Sequence, residues 1–142
     1  MFVKPIPDGY HTITPYLVCE RLSELIDFLK TAFGAIEKER HLSKTGRVMH
    51  AEVQIGDSIV MMGEAMEGFQ PVQTSLYFYV VDTDSVYNKA IKAGGVSLME
   101  PANQFYGDRN AGVQDPSGNK WWLATHVEDV SAEEMERRSR DK

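Results

Sequence analysis

His50 and Glu52 stand two residues apart in the run Met49-His50-Ala51-Glu52-Val53-Gln54, and in an extended chain such residues point to the same side. An imidazole beside a carboxylate can exchange a proton near neutral pH, which makes this pair the candidate catalytic residues. A His in a sheet also serves as a plain hydrogen-bonded structural residue, and both readings stand. With His11 or His126 the pair would supply part of a metal site, although no His-x-His or His-x-x-x-His spacing accompanies it. A second group is aromatic: Tyr16, the alternating Tyr77 and Tyr79, and Trp122 of the Trp121-Trp122 pair offer faces on which a planar ligand can stack. The run Gln104-Phe105-Tyr106-Gly107-Asp108-Arg109 sets an aromatic pair beside a glycine hinge and a guanidinium. It reads as a loop closing over a ligand and clamping an anionic group, or as a strand lead-in with its rings packed on a sheet. The single cysteine, Cys19, lies in the apolar run Tyr16-Leu17-Val18-Cys19. It reads as a small core residue, with no disulfide possible within the chain and a reducing compartment expected.

These residues need elements to hold them. Thr12–Cys19 is β-branched, aromatic and aliphatic and predicts a strand, with Pro15 tolerated near its start. Leu22, Leu25, Ile26, Leu29 and Phe33 repeat at helical spacing up to Gly34, a left-handed stop. Strands are then expected over Ala35–Leu42, Arg47–Ile55 and Ser58–Met62, separated by Ser43-Lys44-Thr45-Gly46 and Gly56-Asp57. The same order follows again: a strand over Thr74–Val81, a helix opened by Asp82-Thr83-Asp84 and stopped at Gly94-Gly95, and strands over Val96–Glu100, Phe105–Gln114 and Lys120–His126. A shift of 60 residues superposes Gly34 on Gly94, Ala51 on Ala111, Val53 on Val113 and Gln54 on Gln114, a faint echo that favours a duplicated unit. The tail differs. Ser131 with Glu134 has capping-box spacing and opens a charged helix to Arg140, read as a solvated helix resting on the domain.

Composition removes several classes of function. The net charge of −6 repels a phosphate backbone, and no basic stripe with interleaved aromatics appears, so nucleic acid is not an expected partner. No run approaches the roughly 18 consecutive apolar residues of a membrane span, and the N-terminus has no signal-peptide pattern. No membrane partner and a cytoplasmic location are expected. No glycine-rich nucleotide loop is present.

Several motifs agree in order with a known family. They are Tyr10-His11-Thr12-Ile13-Thr14-Pro15-Tyr16-Leu17, Ile26-Asp27-Phe28 with Ala32-Phe33-Gly34-Ala35, Met49-His50-Ala51-Glu52 before Ile55-Gly56-Asp57, then Asp115-Pro116-Ser117-Gly118-Asn119 and Ala124-Thr125-His126-Val127-Glu128-Asp129. From about Pro7 to the tail the chain resembles the PhnB-like branch of the glyoxalase, bleomycin-resistance protein and dioxygenase (vicinal oxygen chelate) superfamily. The resemblance implies an α+β fold of paired βαβββ modules forming a curved, cup-shaped mixed sheet around a small molecule, commonly in a homodimer. One glyoxalase-like domain over residues 1–130 is expected, with modules at about 10–64 and 73–127 and a charged helix or tail over 131–142.

In many members one divalent metal sits at the bottom of the cup, held by a His or Glu from each of four strands. Carried over, those positions fall on Thr14, Met61, Ser75 and Trp122, none a suitable donor for a hard or borderline cation. No metal at those positions and no cofactor are therefore expected. Alternation puts Tyr16 beside Thr14, Ile59 beside Met61, Tyr77 and Tyr79 beside Ser75, and Ala124 and His126 beside Trp122 on the cup side. Leu17, Cys19, Met49, Ala51, Val53, Leu76, Phe78, Val80, Trp121 and Leu123 are left for the core. The expected ligand-binding set is Thr14, Tyr16, Met61, Ser75, Tyr77, Tyr79, Phe105, Tyr106, Arg109 and Trp122, suited to a planar or aromatic ligand. Three readings compete. The leading one is a metal-free small-molecule binding protein of the resistance or sequestration type. The second is a lyase, isomerase or dioxygenase-type enzyme using a displaced metal or His50 and Glu52. The third is an interaction module without a ligand.

Overall fold

A computed structural model describes residues 2–141; Met1 and Lys142, the outer ends of the two segments expected from the sequence, lie outside the described residues. Eight strands and three helices follow in the order β1 (Tyr16–Cys19), α1 (Leu22–Phe33), β2 (Ile36–Leu42), β3 (Val48–Ile55), β4 (Ser58–Glu64), β5 (Ser75–Tyr79), α2 (Thr83–Lys92), β6 (Val96–Asn103), β7 (Asp108–Gln114), β8 (Lys120–His126) and α3 (Ala132–Arg140). Strand, helix and three strands thus occur twice. Each repeat makes its own four-stranded sheet, ordered β1-β4-β3-β2 and β5-β8-β7-β6. In both, the first strand joins the fourth in parallel and the remaining pairs are antiparallel. This is the expected α+β pairing of βαβββ modules, its sheet divided into two unclosed halves.

The helices form where the apolar spacing requires. Leu22, Leu25, Ile26, Phe28, Leu29 and Ala32 of α1 are buried, and a fully buried Leu or Ile contributes about 1.5–3 kcal/mol. Its first turn has no local cap, because Arg21 adopts a left-handed φ of 57° and offers no side-chain bond. Instead the buried Glu64, at the end of β4, accepts from the backbone N–H of Arg21 at 3.0 Å and of Leu22 at 3.1 Å. A carboxylate there satisfies two orphan donors and complements the helix dipole. At the other end Gly34 (φ 67°) donates to Lys30 and Ala35 donates to Leu29, a left-handed stop that a side chain would strain. Gly94 (φ 106°), one residue past the right-handed cap Ala93 of α2, also turns left-handed, so one echo at an offset of 60 falls just past both helices. Another marks equivalent strands: Ala51 and Val53 of β3, and Ala111 and Val113 of β7, are all fully buried.

One core serves both modules. Leu17 and Cys19 of β1, Ala51 and Val53 of β3, Val60 and Met62 of β4, and Trp121 and Leu123 of β8 belong to a single cluster with α1 and with Ala90 of α2. Phe33 joins the modules by packing its ring on Phe78 (4.9 Å) and Trp121 (5.1 Å). Both sheets turn one face to this core, and period-two alternation leaves the opposite face of each turned away from it.

The structure departs from the sequence reading at β1, β3, β6 and β7. β1 begins at Tyr16 rather than Thr12, since Pro15 has no N–H for the ladder; its carbonyl instead accepts from Met61 at 2.9 Å. Val48 replaces Met49 in the core, because the register shifts between His41 and Leu42 and pairs Leu42 with Val48. β6 runs on through Pro101 to Asn103, and β7 begins only at Asp108. β6 is an edge strand, and its register breaks between Met99 and Ala102, which accommodates the proline.

Candidate functional site

The open face of the second sheet gathers most of the expected aromatic residues. Tyr77 and Tyr79 project side by side from β5, ring centroids 5.5 Å apart, and are 44% and 63% exposed. Trp122 lies on the adjacent β8, paired in register with Tyr77 on one side and Gly112 on the other. Glycine is required there: a Cβ on residue 112 would fall 2.4 Å from the indole ring, so the ring lies directly over the β7 backbone. The indole N–H donates to Ser75 Oγ at 2.9 Å and fixes the ring's orientation.

Beside these rings is a polar floor. Asp108, 5% exposed, accepts from the Tyr77 hydroxyl at 2.6 Å, the Tyr79 hydroxyl at 3.1 Å and His126 Nδ1 at 2.9 Å. Burial works against the Asp108 charge, yet the donors Tyr77, His126 and Tyr79 outweigh it and hold the carboxyl below its usual range. His126 is raised, first by its bond to Asp108 and then by Asp129, which takes Nε2 at 2.7 Å. Tyr77 is raised by burial and by Asp108, and Tyr79 by its bond to Asp108. Asn110 donates through Nδ2 to the Tyr77 hydroxyl at 3.3 Å and the Tyr106 hydroxyl at 2.6 Å, while its buried Oδ1 has no partner. The Tyr106 hydroxyl, having accepted from Asn110, keeps its own proton for another acceptor.

The first sheet's open face carries the acid–base candidates. His50 Nδ1 is 3.3 Å from the Tyr16 hydroxyl, and Nε2 is 3.4 Å from Glu52 Oε2. Glu52 is buried, and its Oε1 accepts a short hydrogen bond from Tyr10, which raises the Tyr10 pKa. The N-terminal segment therefore reaches across this face; Pro5, Ile6, Pro7, Tyr10, Thr14 and Met61 line a cavity of about 390 Å³ there.

The structure thus separates the expected site residues into groups. Ser75, Tyr77, Tyr79, Tyr106 and Trp122 share the second module's face, while Tyr16, Met61, His50 and Glu52 belong to the first, with Thr14 just before β1. No hydrogen bond or ion pair joins a polar side chain of one open face to one of the other, among the described residues. Arg109 lies apart from both faces: one residue into β7, it forks onto Asp84 in the first turn of α2 at 2.7 and 2.9 Å. Phe105 packs edge-on against Tyr106 in the β6–β7 turn, and its carbonyl accepts from Arg138 of α3 at 3.1 Å. Ile59 and Ala124, expected toward the cup, are buried. Burial pushes the Cys19 thiol up to about 11, in keeping with a core residue.

The four positions that would carry a family metal do not fit one. The Thr14 hydroxyl donates to the His11 carbonyl at 3.5 Å, Met61 offers a thioether, and the Ser75 hydroxyl is taken by the Trp122 indole, which has no lone pair to give. The donors that do converge lie elsewhere: one atom each from Glu39, His50 and Glu52, all within 4.8 Å of one another. Neither His11 nor His126 belongs to that group.

Known proteins agree with this architecture. An uncharacterised protein of Mycobacterium bovis is 30% identical over 135 residues, covering 87% of this chain and 89% of its own length. Among solved structures, TioX from Micromonospora sp. ML1 superposes with a TM-score of 0.72 at 21% identity, covering 82% of this chain and 99% of that one. A glyoxalase/bleomycin resistance protein/dioxygenase from Nocardioides superposes with a TM-score of 0.64 at 18% identity, covering 86% and 87%. The family model matches residues 10–123, and the chain belongs to the Glyoxalase/Bleomycin resistance protein/Dioxygenase superfamily.

Proposed function

We propose that this chain is a cytoplasmic small-molecule binding protein of its superfamily, of the PhnB-like branch. It takes a planar or aromatic ligand on the open face of the second module without a metal at Thr14, Met61, Ser75 or Trp122. The observation that carries this reading is the seating of Trp122 over Gly112, its N–H tied to Ser75. A ring so fixed loses little entropy when a second ring stacks on it. Tyr77 and Tyr79 extend the apolar platform, and the Tyr106 proton is free to orient a polar edge of the ligand. Residues 1–130 act as the domain, with 131–142 as a charged accessory held by the Arg138 contacts to Glu128 and to the Phe105 carbonyl. Each open sheet face is half a cup, and a homodimer that apposes the first-module face of one copy to the second-module face of another completes it.

A second reading is favoured by the chain Tyr16–His50–Glu52–Tyr10: acid–base chemistry on an α-carbonyl substrate, with His50 as base and Glu52 orienting it. One screen separates the two. Planar heteroaromatic compounds are tested by thermal shift and calorimetry on wild type, Trp122→Ala and His50→Ala, with product analysis and sedimentation on the same samples. Binding weakened at least tenfold (about 1.4 kcal/mol, the order of one aromatic stack) by Trp122→Ala, intact in His50→Ala, with unchanged ligand and a mass of two chains is expected. Ligand turnover lost in His50→Ala makes the protein an enzyme instead.

A further inference from the structure

The β2–β3 pairing is displaced at one residue, and the displacement changes which charges meet. The register runs Ile36 to Gln54 and Glu37 to Val53, then skips Lys38 and continues Glu39 to Glu52, Arg40 to Ala51 and His41 to His50. Without the bulge Lys38 would stand opposite Glu52 as an ion pair. With it, two carboxylates stand directly opposite each other, an arrangement that costs stability unless a cation lies between them. Glu52 is 6% exposed. Among the described residues neither Glu39 nor Glu52 has a Lys or Arg nitrogen within 4.0 Å; their basic neighbours are imidazoles, His41 at 2.6 Å from Glu39 and His50 at 3.4 Å from Glu52.

We propose that this face of β2 and β3 binds one first-row divalent cation of the zinc or cobalt type through Glu39, His50 and Glu52. The site is distinct from the four strand positions that do not fit a metal, and it is independent of ligand stacking on Trp122. Mixed imidazole and carboxylate donors suit such an ion. The three donor atoms already lie within 4.8 Å of one another. An ion bonded tetrahedrally at about 2.1 Å holds its donors about 3.4 Å apart, so side-chain rotations that close each gap by an ångström or so draw this set in. The surrounding bonds orient the ligands. Tyr10 holds Glu52 Oε1 and leaves Oε2 toward the site, and in the tautomer that binds an ion His50 Nδ1–H would donate to the Tyr16 hydroxyl while Nε2 presents its lone pair. The Glu39 side chain is 46% exposed and gives the ion its way in from solvent; His41, 63% exposed, stands ready as a fourth donor.

The test uses the full chain freed of metal by chelator and dialysis, titrated with Co²⁺ while its visible d–d absorbance is followed, then displaced with Zn²⁺. One equivalent per chain is expected. Affinity should fall at least tenfold in Glu39→Gln and in His50→Ala, and stay unchanged in His126→Ala. Glu39→Lys returns a cation to the place opposite Glu52, so it should abolish Co²⁺ binding while raising the melting temperature of the metal-free protein. This variant changes an exposed side chain and does not depend on the buried Glu52 tolerating replacement. No stoichiometric binding at micromolar Co²⁺, or binding that survives both Glu39 variants, would overturn the proposal. Because the readout is the metal alone, its failure leaves stacking on Trp122 intact, and the converse holds.

Discussion

At the scale of single residues, the polar floor of the second module decides how the site answers to pH. His126 donates to Asp108 and Asp129 together, which both residues favour only while the imidazole is charged. Its folded pKa lies above the ordinary 6.5, so its stabilisation is fully present below pH 6.5 and is lost as pH rises through the higher folded value. Asp108, held below its ordinary 3.8, acts in the opposite sense: its contribution is present above that value and lost as pH falls through the folded one. Comparing melting temperatures of wild type and His126→Gln at pH 5.5 and pH 9 should show a deficit in the variant at the lower pH that shrinks at the higher; an equal deficit at both would refute the ion-pair account. Some of this floor was legible from alternation alone. Asp108 and Asn110 share the parity of Gly112, across from Trp122, but reading Phe105–Arg109 as a loop hides that parity and with it the pairing of Arg109 with Asp84. Tyr10 and Glu39 carried no such signal, since one arrives on an irregular segment and the other through a bulge.

At the scale of elements, the helices were legible because their apolar spacing and glycine stops are local, whereas strand ends were set by partners distant in sequence. The start of α1 shows the difference. Nothing near Arg21 caps it, and the cap comes from Glu64, 43 residues onward at the end of β4. Glu64 thus ties the helix to the strand that pairs with β1, and Arg47 lies 3.4 Å from the same carboxylate. Replacing Glu64 by Ala leaves two backbone donors unsatisfied, and urea unfolding should show a loss of about 2 kcal/mol. A loss within the ordinary surface range of about 0.5 kcal/mol would mean that water caps the helix equally well. The Lys38 bulge belongs to the same class of feature. Twist and pairing decide it, and an alternating pattern read along one strand cannot report it.

For the molecule as a whole, duplication is the organising fact. The repeat of element order and the echo at an offset of 60 were enough to expect two βαβββ modules. They could not tell that each module makes its own four-stranded sheet, or that one shared core holds the two open faces apart within the chain. The central claim is that the Trp122 face receives the ligand, and the two tryptophans make it directly testable. Trp122 donates its indole N–H to Ser75 on the open face, and Trp121 donates its own to the buried Asp115 at 2.8 Å. In a ¹H–¹⁵N correlation spectrum the two indole signals are a reporter and an internal control. Titration with a planar aromatic ligand that binds the protein should move the Trp122 signal to saturation and leave that of Trp121 in place. Saturable binding with the Trp122 signal unmoved would contradict the account.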